Sequence, residues 1–170
     1  MTIETGKVTF MGNPLTLIGS KKVAVGDQFP KGVVLLNNDL TPFKIDDEAG
    51  VKIVTTVPSL DTPVCDTQVR KFNEKAAGMN AKVFAVSADL PFAQARWCGG
   101  AGIKNVRTLS DHAQMGLADA LGILIKELRL FARTVMVVDS TGKITYMQIV
   151  PEVTSEPDYE AALAAVKKAS

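Results

Sequence analysis

The chain is poor in the residues that build disulfide scaffolds and metal centres. Its 170 residues include two cysteines and one histidine. Two cysteines are too few to staple a small secreted fold, and Cys65, Cys98 and His112 are too few and too widely separated to predict a metal site. In a reducing compartment, a disulfide between the two cysteines would be transient and catalytic more readily than structural.

The chain also lacks an excess of charge and a long apolar run. Its 19 basic and 18 acidic residues leave a net charge of +1. A charge this small gives no general electrostatic attraction to nucleic acid or to an anionic membrane. No apolar run approaches the roughly 20 residues that cross a bilayer, and the N-terminus lacks the charged and apolar regions of a signal peptide. We therefore expect a cytoplasmic protein with no nucleic-acid or membrane partner.

No linker, repeat or low-complexity segment divides the chain, so we expect residues 1–170 to form one domain. Two apolar runs around Gly12-Asn13-Pro14 predict an N-terminal β-hairpin over residues 8–18. Apolar, β-branched strands are predicted to alternate with helices that begin near Pro63, Pro91, Ser110 or Asp111, and Tyr159. Gly99-Gly100 is predicted to end the helix that begins near Pro91. This order predicts an α/β fold with a mixed central sheet and helices on both faces, and it resembles the thioredoxin fold with an N-terminal addition.

One cysteine lies where a thiolate would be stabilised. Cys65 follows the strand-like run 51–57, and Thr62 and Pro63 predict the start of a helix just before it. Free N–H groups and the positive end of the helix dipole favour a thiolate in that first turn. The Thr62 hydroxyl, three residues earlier, can turn back towards the sulfur. From these residues alone, Cys65 could equally be a small core residue, and the prolines and Thr62 could simply mark the start of a helix.

Three segments carry a resemblance to a known family. Pro58-x-x-x-Thr62-x-x-Cys65 resembles the peroxidatic signature of the peroxiredoxins. The segments 57–65, 87–98 and 152–162 are similar to the thiol peroxidase branch of that family, and the resemblance extends over nearly the whole chain. It implies a thioredoxin-like fold and an enzyme that reduces hydrogen peroxide and alkyl hydroperoxides.

The resemblance also implies residue roles. The Cys65 thiolate attacks the peroxide and becomes a sulfenic acid, with the Thr62 hydroxyl and the Cys65 amide as hydrogen-bond donors. Pro58 shields the sulfur, and Arg133 supplies a permanent cation. Taken alone, an arginine at the start of a β-branched strand is more typical of a surface charge, and the resemblance reverses this interpretation. Arg70, five residues after Cys65, is predicted to lie on another side of the helix.

Cys98 is implied to be the resolving cysteine, which forms an intrachain disulfide with Cys65 that thioredoxin reduces. No metal, haem or flavin is needed, and members of this branch form homodimers. The pattern alone leaves open a structural thiol at position 98. Because a disulfide needs Cα atoms within roughly 7 Å, and the two cysteines lie at opposite ends of two predicted helices, at least one helix end must unwind. Gly99, Gly100 and Gly102 make the region after Cys98 the predicted hinge.

Two other functions use the same kind of fold. A dithiol oxidoreductase would need a second cysteine close after Cys65, where the chain has Asp66-Thr67-Gln68 instead. A redox-sensing module would share the oxidation of Cys65 without turnover. Six apolar residues could line a substrate mouth or could belong to the core or to a dimer interface: Leu60, Phe92, Trp97, Leu124, Ile125 and Leu128. The run 122–125 is a candidate interface.

Overall fold

A mixed seven-stranded sheet forms the centre of the computed structural model, which describes residues 1–170. The strands are β1 (Thr2–Phe10), β2 (Asn13–Gly19), β3 (Leu35–Leu36), β4 (Pro42–Phe43), β5 (Lys52–Thr56), β6 (Lys82–Ser87), β7 (Val106–Ser110), β8 (Leu124–Ile125), β9 (Leu130–Phe131), β10 (Thr134–Val138) and β11 (Ile144–Ile149). The helices are α1 (Pro63–Lys75), α2 (Pro91–Ala101), α3 (Gly116–Leu121) and α4 (Tyr159–Ala169). The order of the central sheet is β11-β10-β5-β6-β7-β3-β4, with β5, β6 and β7 parallel. None of the four helices is long and apolar enough to cross a bilayer.

The central strands are covered on both faces. Every residue of β5 and β10 is buried, as their nearly continuous β-branched sequences predict. One face of the sheet packs against α1 and α4 through Phe72 and Val166, and the other packs against α3 through Leu117 and Leu121. The predicted α/β fold, a thioredoxin-like mixed sheet with helices on both faces, is confirmed.

The N-terminal hairpin is confirmed and is longer than predicted. β1 and β2 pair antiparallel from Thr2 opposite Gly19 to Phe10 opposite Asn13. β2 then pairs with β8, and β8 pairs with β9, which completes a second, four-stranded sheet. The apolar run that contains β8 is therefore covered within the chain, with Ile123 and Ile125 fully buried. The candidate interface at 122–125 therefore belongs to the core of the chain in this structure, where β2 and neighbouring residues cover its apolar side chains.

Two helix boundaries differ from the prediction. α2 continues through Gly99 and Gly100 to Ala101, and Gly102 caps it in a left-handed conformation, with a φ of 66°, that glycine adopts easily. α3 begins only at Gly116, although its predicted cap, Asp111, does hold it. The Asp111 carboxylate accepts the amides of Gly116, Leu117 and Ala118 across an intervening turn, so residues 111–115, including His112, precede the helix.

The register of two strands positions the region around Cys65. β5 and β10 pair antiparallel, with Thr56 opposite Thr134. The chain leaves β5 at this point towards the start of α1, and Arg133 immediately precedes β10. Residues 133 and 57–65 therefore converge at one end of the sheet although they are far apart along the chain.

Candidate active site

Cys65 is a buried thiol in the first turn of α1. It is the third residue of the helix, its side chain is fully buried, and it forms no disulfide. Pro63 occupies the first helical position and Thr62 precedes it in an extended conformation, as predicted. The Cys65 amide donates to no acceptor in the protein, so a donor remains free beside the sulfur.

Arg133 contacts the sulfur directly. Its Nη2 atom donates to Cys65 Sγ at 3.2 Å, and the residue is 1% exposed. Nη2 and Nε also donate to the Val153 carbonyl, at 2.7 and 3.0 Å. The guanidinium forms no salt bridge with any carboxylate. A surface-charge role for Arg133 is therefore wrong, and this buried cation favours a thiolate as its counter-ion.

Gln68 is part of this arrangement and was missed at the sequence level. Its Oε1 atom accepts Arg133 Nη1 at 2.7 Å, while its Nε2 donates to the Thr55 hydroxyl at 2.5 Å. Thr55 in turn donates to the Thr134 carbonyl at 3.0 Å. This chain of hydrogen bonds fixes the plane of the guanidinium. The available signal was a glutamine on the helix face that α-helical spacing places inside, one turn after Cys65.

Thr62 does not hydrogen-bond to the sulfur. Its hydroxyl donates to the Ser59 carbonyl at 3.0 Å, and its amide donates to the same oxygen at 3.2 Å. The tight loop brings this carbonyl within reach, so the prediction that the hydroxyl turns back to Cys65 is not met in this conformation. Pro58 is buried, and it lines one cavity together with Thr62 and Arg133.

That cavity is apolar and has a volume of about 410 Å³. Phe10, Val64, Leu128 and Leu130 contribute to its walls. Among the six residues proposed for an apolar mouth, only Leu128 lines it. Leu60 turns inward from the loop and is buried in the core, as are Leu124 and Ile125, while Phe92 projects from α2 into solvent. Trp97 also lies on α2, where its indole donates to Asp66.

Asp89 holds the loop that precedes Cys65. Its carboxylate accepts the Leu60 amide at 2.8 Å and the hydroxyls of Ser59 and Ser87 at 2.7 Å each. The Ser59 carbonyl accepts the hydroxyl and the amide of Thr62. Asp89, which lies just before α2, therefore fixes the position of Thr62 through Ser59. This support was not predicted, because it joins two loops that lie about 30 residues apart along the chain.

Glu152 ties the N-terminal hairpin to the residue that holds Arg133. Its carboxylate accepts the Thr9 hydroxyl at 2.6 Å and the amides of Met11 and Gly12 at 2.9 and 3.2 Å. These hydrogen bonds, that from Thr9 above all, lower the pKa of Glu152 to about 2. The next residue, Val153, provides the carbonyl that accepts two N–H groups of Arg133. The hairpin thus supports the arginine through Glu152.

We expect Glu152→Gln to loosen this support. The neutral amide cannot accept all of these donors, so the melting temperature should fall by a few degrees and the reaction of Cys65 with peroxide should slow a few-fold. Because the pKa is lowered on folding, the carboxylate stabilises the fold fully above the unfolded pKa near 4.3, and this stabilisation is lost as the pH falls towards 2.

Thermal unfolding of both proteins between pH 7 and pH 2.5 tests this prediction. The difference between the melting temperatures should shrink as the pH falls. A difference that is constant over this range would show that the ionised carboxylate contributes nothing to the support.

Cys98 lies apart from Cys65. It is half-buried in the last turn of α2, with its sulfur 3.1 Å from the Thr108 hydroxyl, and it lines a separate cavity with Asn38 and Arg107. Both cysteines are free thiols. The structure therefore brings together four of the five residues predicted for the site (Pro58, Thr62, Cys65 and Arg133), and leaves Cys98 outside it.

Comparison with known proteins identifies relatives over nearly the whole chain. Residues 24–163 match the family described as Redoxin. The chain is 50% identical over 164 residues to a thiol peroxidase of Halalkalibacterium halodurans, covering 95% of this chain and 98% of the relative. It is 49% identical over 162 residues to a thiol peroxidase of Bacillus subtilis, covering 95% and 96% of the two chains.

Solved structures share the fold. A peroxiredoxin-like protein from Aquifex aeolicus superimposes with a TM-score of 0.89 at 40% identity over the full length of both chains. A thiol peroxidase from Chromobacterium violaceum, at 18% identity, has a TM-score of 0.82 over 95% of both chains, which is a likeness of fold. The chain therefore belongs to the Redoxin family and is one of its thiol-dependent peroxidases.

Proposed function

We propose that Cys65 is the nucleophile of this peroxidase. Its thiolate attacks one oxygen of the peroxide, so that an S–O bond forms and the O–O bond breaks. The sulfur is oxidised by two electrons to a sulfenic acid, and the departing oxygen takes up a proton to become water or an alcohol. The observation that carries this proposal is the contact of 3.2 Å between Cys65 and a buried Arg133 that has no carboxylate partner.

The neighbouring donors suit the transition state of this reaction. Negative charge spreads over the sulfur and both oxygens, and donors that are already oriented stabilise it. Arg133 and the free Cys65 amide are in place. Thr62 can donate to a peroxide once its hydroxyl releases Ser59, and Pro58 covers the sulfur. Gln68 and Val153 act as positioning residues that hold the guanidinium.

The cavity lined by Val64 and Arg133, the chain neighbour and the hydrogen-bond partner of Cys65, supports organic hydroperoxides as substrates in addition to hydrogen peroxide. Its walls are apolar, and they include Phe10 and Leu130. An alkyl chain placed there would leave water, which is favourable. Hydrogen peroxide has no such group, so the cavity adds nothing to its binding.

We further propose that Cys98 resolves the sulfenic acid as an intrachain disulfide, which a thioredoxin reduces. The separation of the two thiols supports an unwinding step before the bond can form. The last turn of α2 suits this movement, since only Pro91 and Gln94 of that helix are buried and both lie in its first half. We also propose that residues 1–170 act as one domain, in the cytoplasm and as a homodimer, with no cofactor.

The stoichiometry of oxidation tests this assignment. One equivalent of cumene hydroperoxide should remove two thiols from the wild-type protein and lower the mass of each chain by two hydrogen atoms. Cys98→Ser should consume one equivalent, leave a sulfenic acid on Cys65 that dimedone traps, and show no turnover with thioredoxin.

Continued thioredoxin-dependent turnover of Cys98→Ser would contradict the resolving role. A disulfide that links two chains on a non-reducing gel would contradict the intrachain bond. The melting temperature of the variant provides the folding control.

A further inference from the structure

We propose that Asp66, Arg70 and Trp97 form a latch that holds the Cys98 turn of α2 against the first turn of α1, and that opening of this latch limits the rate of disulfide formation. The inference rests on the proposed roles of Cys65 and Cys98. It concerns only the step that follows attack on the peroxide, so it can fail while those roles stand.

The latch is a closed set of polar contacts. Trp97 Nε1 donates to one oxygen of the Asp66 carboxylate at 2.7 Å, and Arg70 Nε donates to the other at 2.9 Å. The Arg70 guanidinium lies 5.8 Å from the centre of the Trp97 ring. Arg70 Nη1 also donates to the Ala101 carbonyl at 3.3 Å. Three side chains therefore bridge the two helices.

The latch spans the two cysteines through their chain neighbours. Asp66 directly follows Cys65, and Trp97 directly precedes Cys98. The sulfurs themselves point to different partners, since Cys65 contacts Arg133 and Cys98 contacts Thr108. If the backbone at position 98 unwinds to approach Cys65, the indole of residue 97 must leave its place on Asp66.

The two halves of α2 are held differently. The first half is anchored by the buried Gln94, which donates to the Ser87 hydroxyl and to the Leu109 carbonyl at 2.9 Å each. The second half contains Gly99 and Gly100, which are exposed and where an added Cβ would meet nothing within 4 Å. The latch therefore provides much of what holds the second half, and its release frees the Cys98 turn without freeing the whole helix.

The step that the latch controls is the attack of one sulfur on the other. The Cys98 thiolate attacks the Cys65 sulfenic sulfur, so an S–S bond forms and the S–O bond breaks. The hydroxide that departs takes up a proton and becomes water. Cys98 is oxidised while the Cys65 sulfur is reduced from the sulfenic level. Until this occurs, a second peroxide can convert the sulfenic acid irreversibly to a sulfinic acid.

Trp97→Phe removes the indole N–H and keeps an aromatic ring. We expect disulfide formation to be about fivefold faster in this variant, as for the loss of one ordinary hydrogen bond. The attack on peroxide should be unchanged, and the yield of sulfinic acid at high peroxide should fall. Because the chain has a single tryptophan, the variant has no tryptophan signal, and rapid acid quench followed by mass spectrometry measures both steps.

Asp66→Ala tests the same contact from the other helix. It should also speed disulfide formation, and the double variant should be no faster than Asp66→Ala alone, since the two changes remove one interaction. A merely structural role for Trp97 would give additive effects. Arg96→Gln, at an exposed arginine of the same turn, is the matched control and should leave both rates unchanged.

Unchanged or slower disulfide formation in both Trp97→Phe and Asp66→Ala, with normal attack on peroxide, would overturn the latch and leave the proposed function intact. The absence of any disulfide in the oxidised wild-type protein would overturn the resolving role proposed for Cys98, and with it the latch, while the role of Cys65 as nucleophile would stand. Should Trp97→Phe fail to fold, Asp66→Ala alone decides between these outcomes.

Discussion

Replacing Arg133 with methionine should slow the reaction of Cys65 with peroxide by about two to three orders of magnitude, the usual effect of removing one preorganised donor from a developing negative charge. Arg133 is the only cationic side chain in contact with the sulfur, at 3.2 Å, and it is buried. Methionine fills a similar volume and offers no donor. Both the thiolate and the transition state therefore lose their main electrostatic partner.

Stopped-flow oxidation at pH 7 measures this loss, and alkylation by iodoacetamide at the same pH separates its two parts. Alkylation also uses the thiolate but breaks no O–O bond, so we expect Arg133→Met to slow alkylation less than oxidation. The additional loss in oxidation would be the contribution of Arg133 to the transition state of peroxide cleavage. Arg96→Met is the matched control, since Arg96 is exposed and makes no polar contact.

Arg133→Lys distinguishes charge from geometry. Arg133 uses its fork to reach Cys65, Gln68 and the Val153 carbonyl together. A lysine ammonium is a single point with three donors and cannot span these positions. We expect a rate between those of the wild-type and methionine proteins. A lysine variant with the full wild-type rate would show that charge alone is sufficient, and a methionine variant with that rate would remove Arg133 from the reaction.

The local part of this site was predictable from the sequence, because it depends on near neighbours. Pro58, Thr62 and Cys65 lie on one loop and one helical turn, and capping rules place them. Arg133 required more than local rules. Its contact with Cys65 depends on the antiparallel pairing of Thr134 with Thr56, which no pattern around either residue specifies. The resemblance of the whole chain supplied that information.

The residues that support the site were not predictable, since each acts through a distant partner. Gln68 is seen to face inward from helical spacing, but the pattern does not say that its oxygen meets Arg133. Glu152 contacts Thr9 and Met11 at the other end of the chain. The direction of the Thr62 hydroxyl was missed for a different reason, because it depends on where the loop places the Ser59 carbonyl.

The pattern of apolar and β-branched residues predicted the fold correctly where the elements are long. β5 and β10 are β-branched and buried, so their prediction is secure. β8 and β9 have two residues each and carry no period, and they formed a second sheet that was not predicted. The start of α3 was misplaced because Asp111 caps it from five residues before the first helical position.

Cys65→Ser should abolish thiol-dependent peroxide reduction, leaving only the background rate of thioredoxin with peroxide. A serine hydroxyl is not ionised at neutral pH and cannot be oxidised to a sulfenic acid analogue. The change is nearly isosteric, and Arg133 can donate to the serine oxygen as it does to the sulfur, so the fold should be retained. Circular dichroism and the melting temperature verify this.

Cys98→Ser provides the comparison that makes this result informative. Both variants lack steady-state turnover, but they differ in the first oxidation, which Cys98→Ser completes and Cys65→Ser does not. Peroxide consumption by Cys65→Ser at the wild-type rate would mean that another group attacks the peroxide. Cys98 would then be the remaining thiol, and its surroundings argue against that role. Its sulfur contacts the Thr108 hydroxyl, and Arg107 of the same cavity is exposed and donates to Asn37, whereas the buried Arg133 donates directly to Cys65.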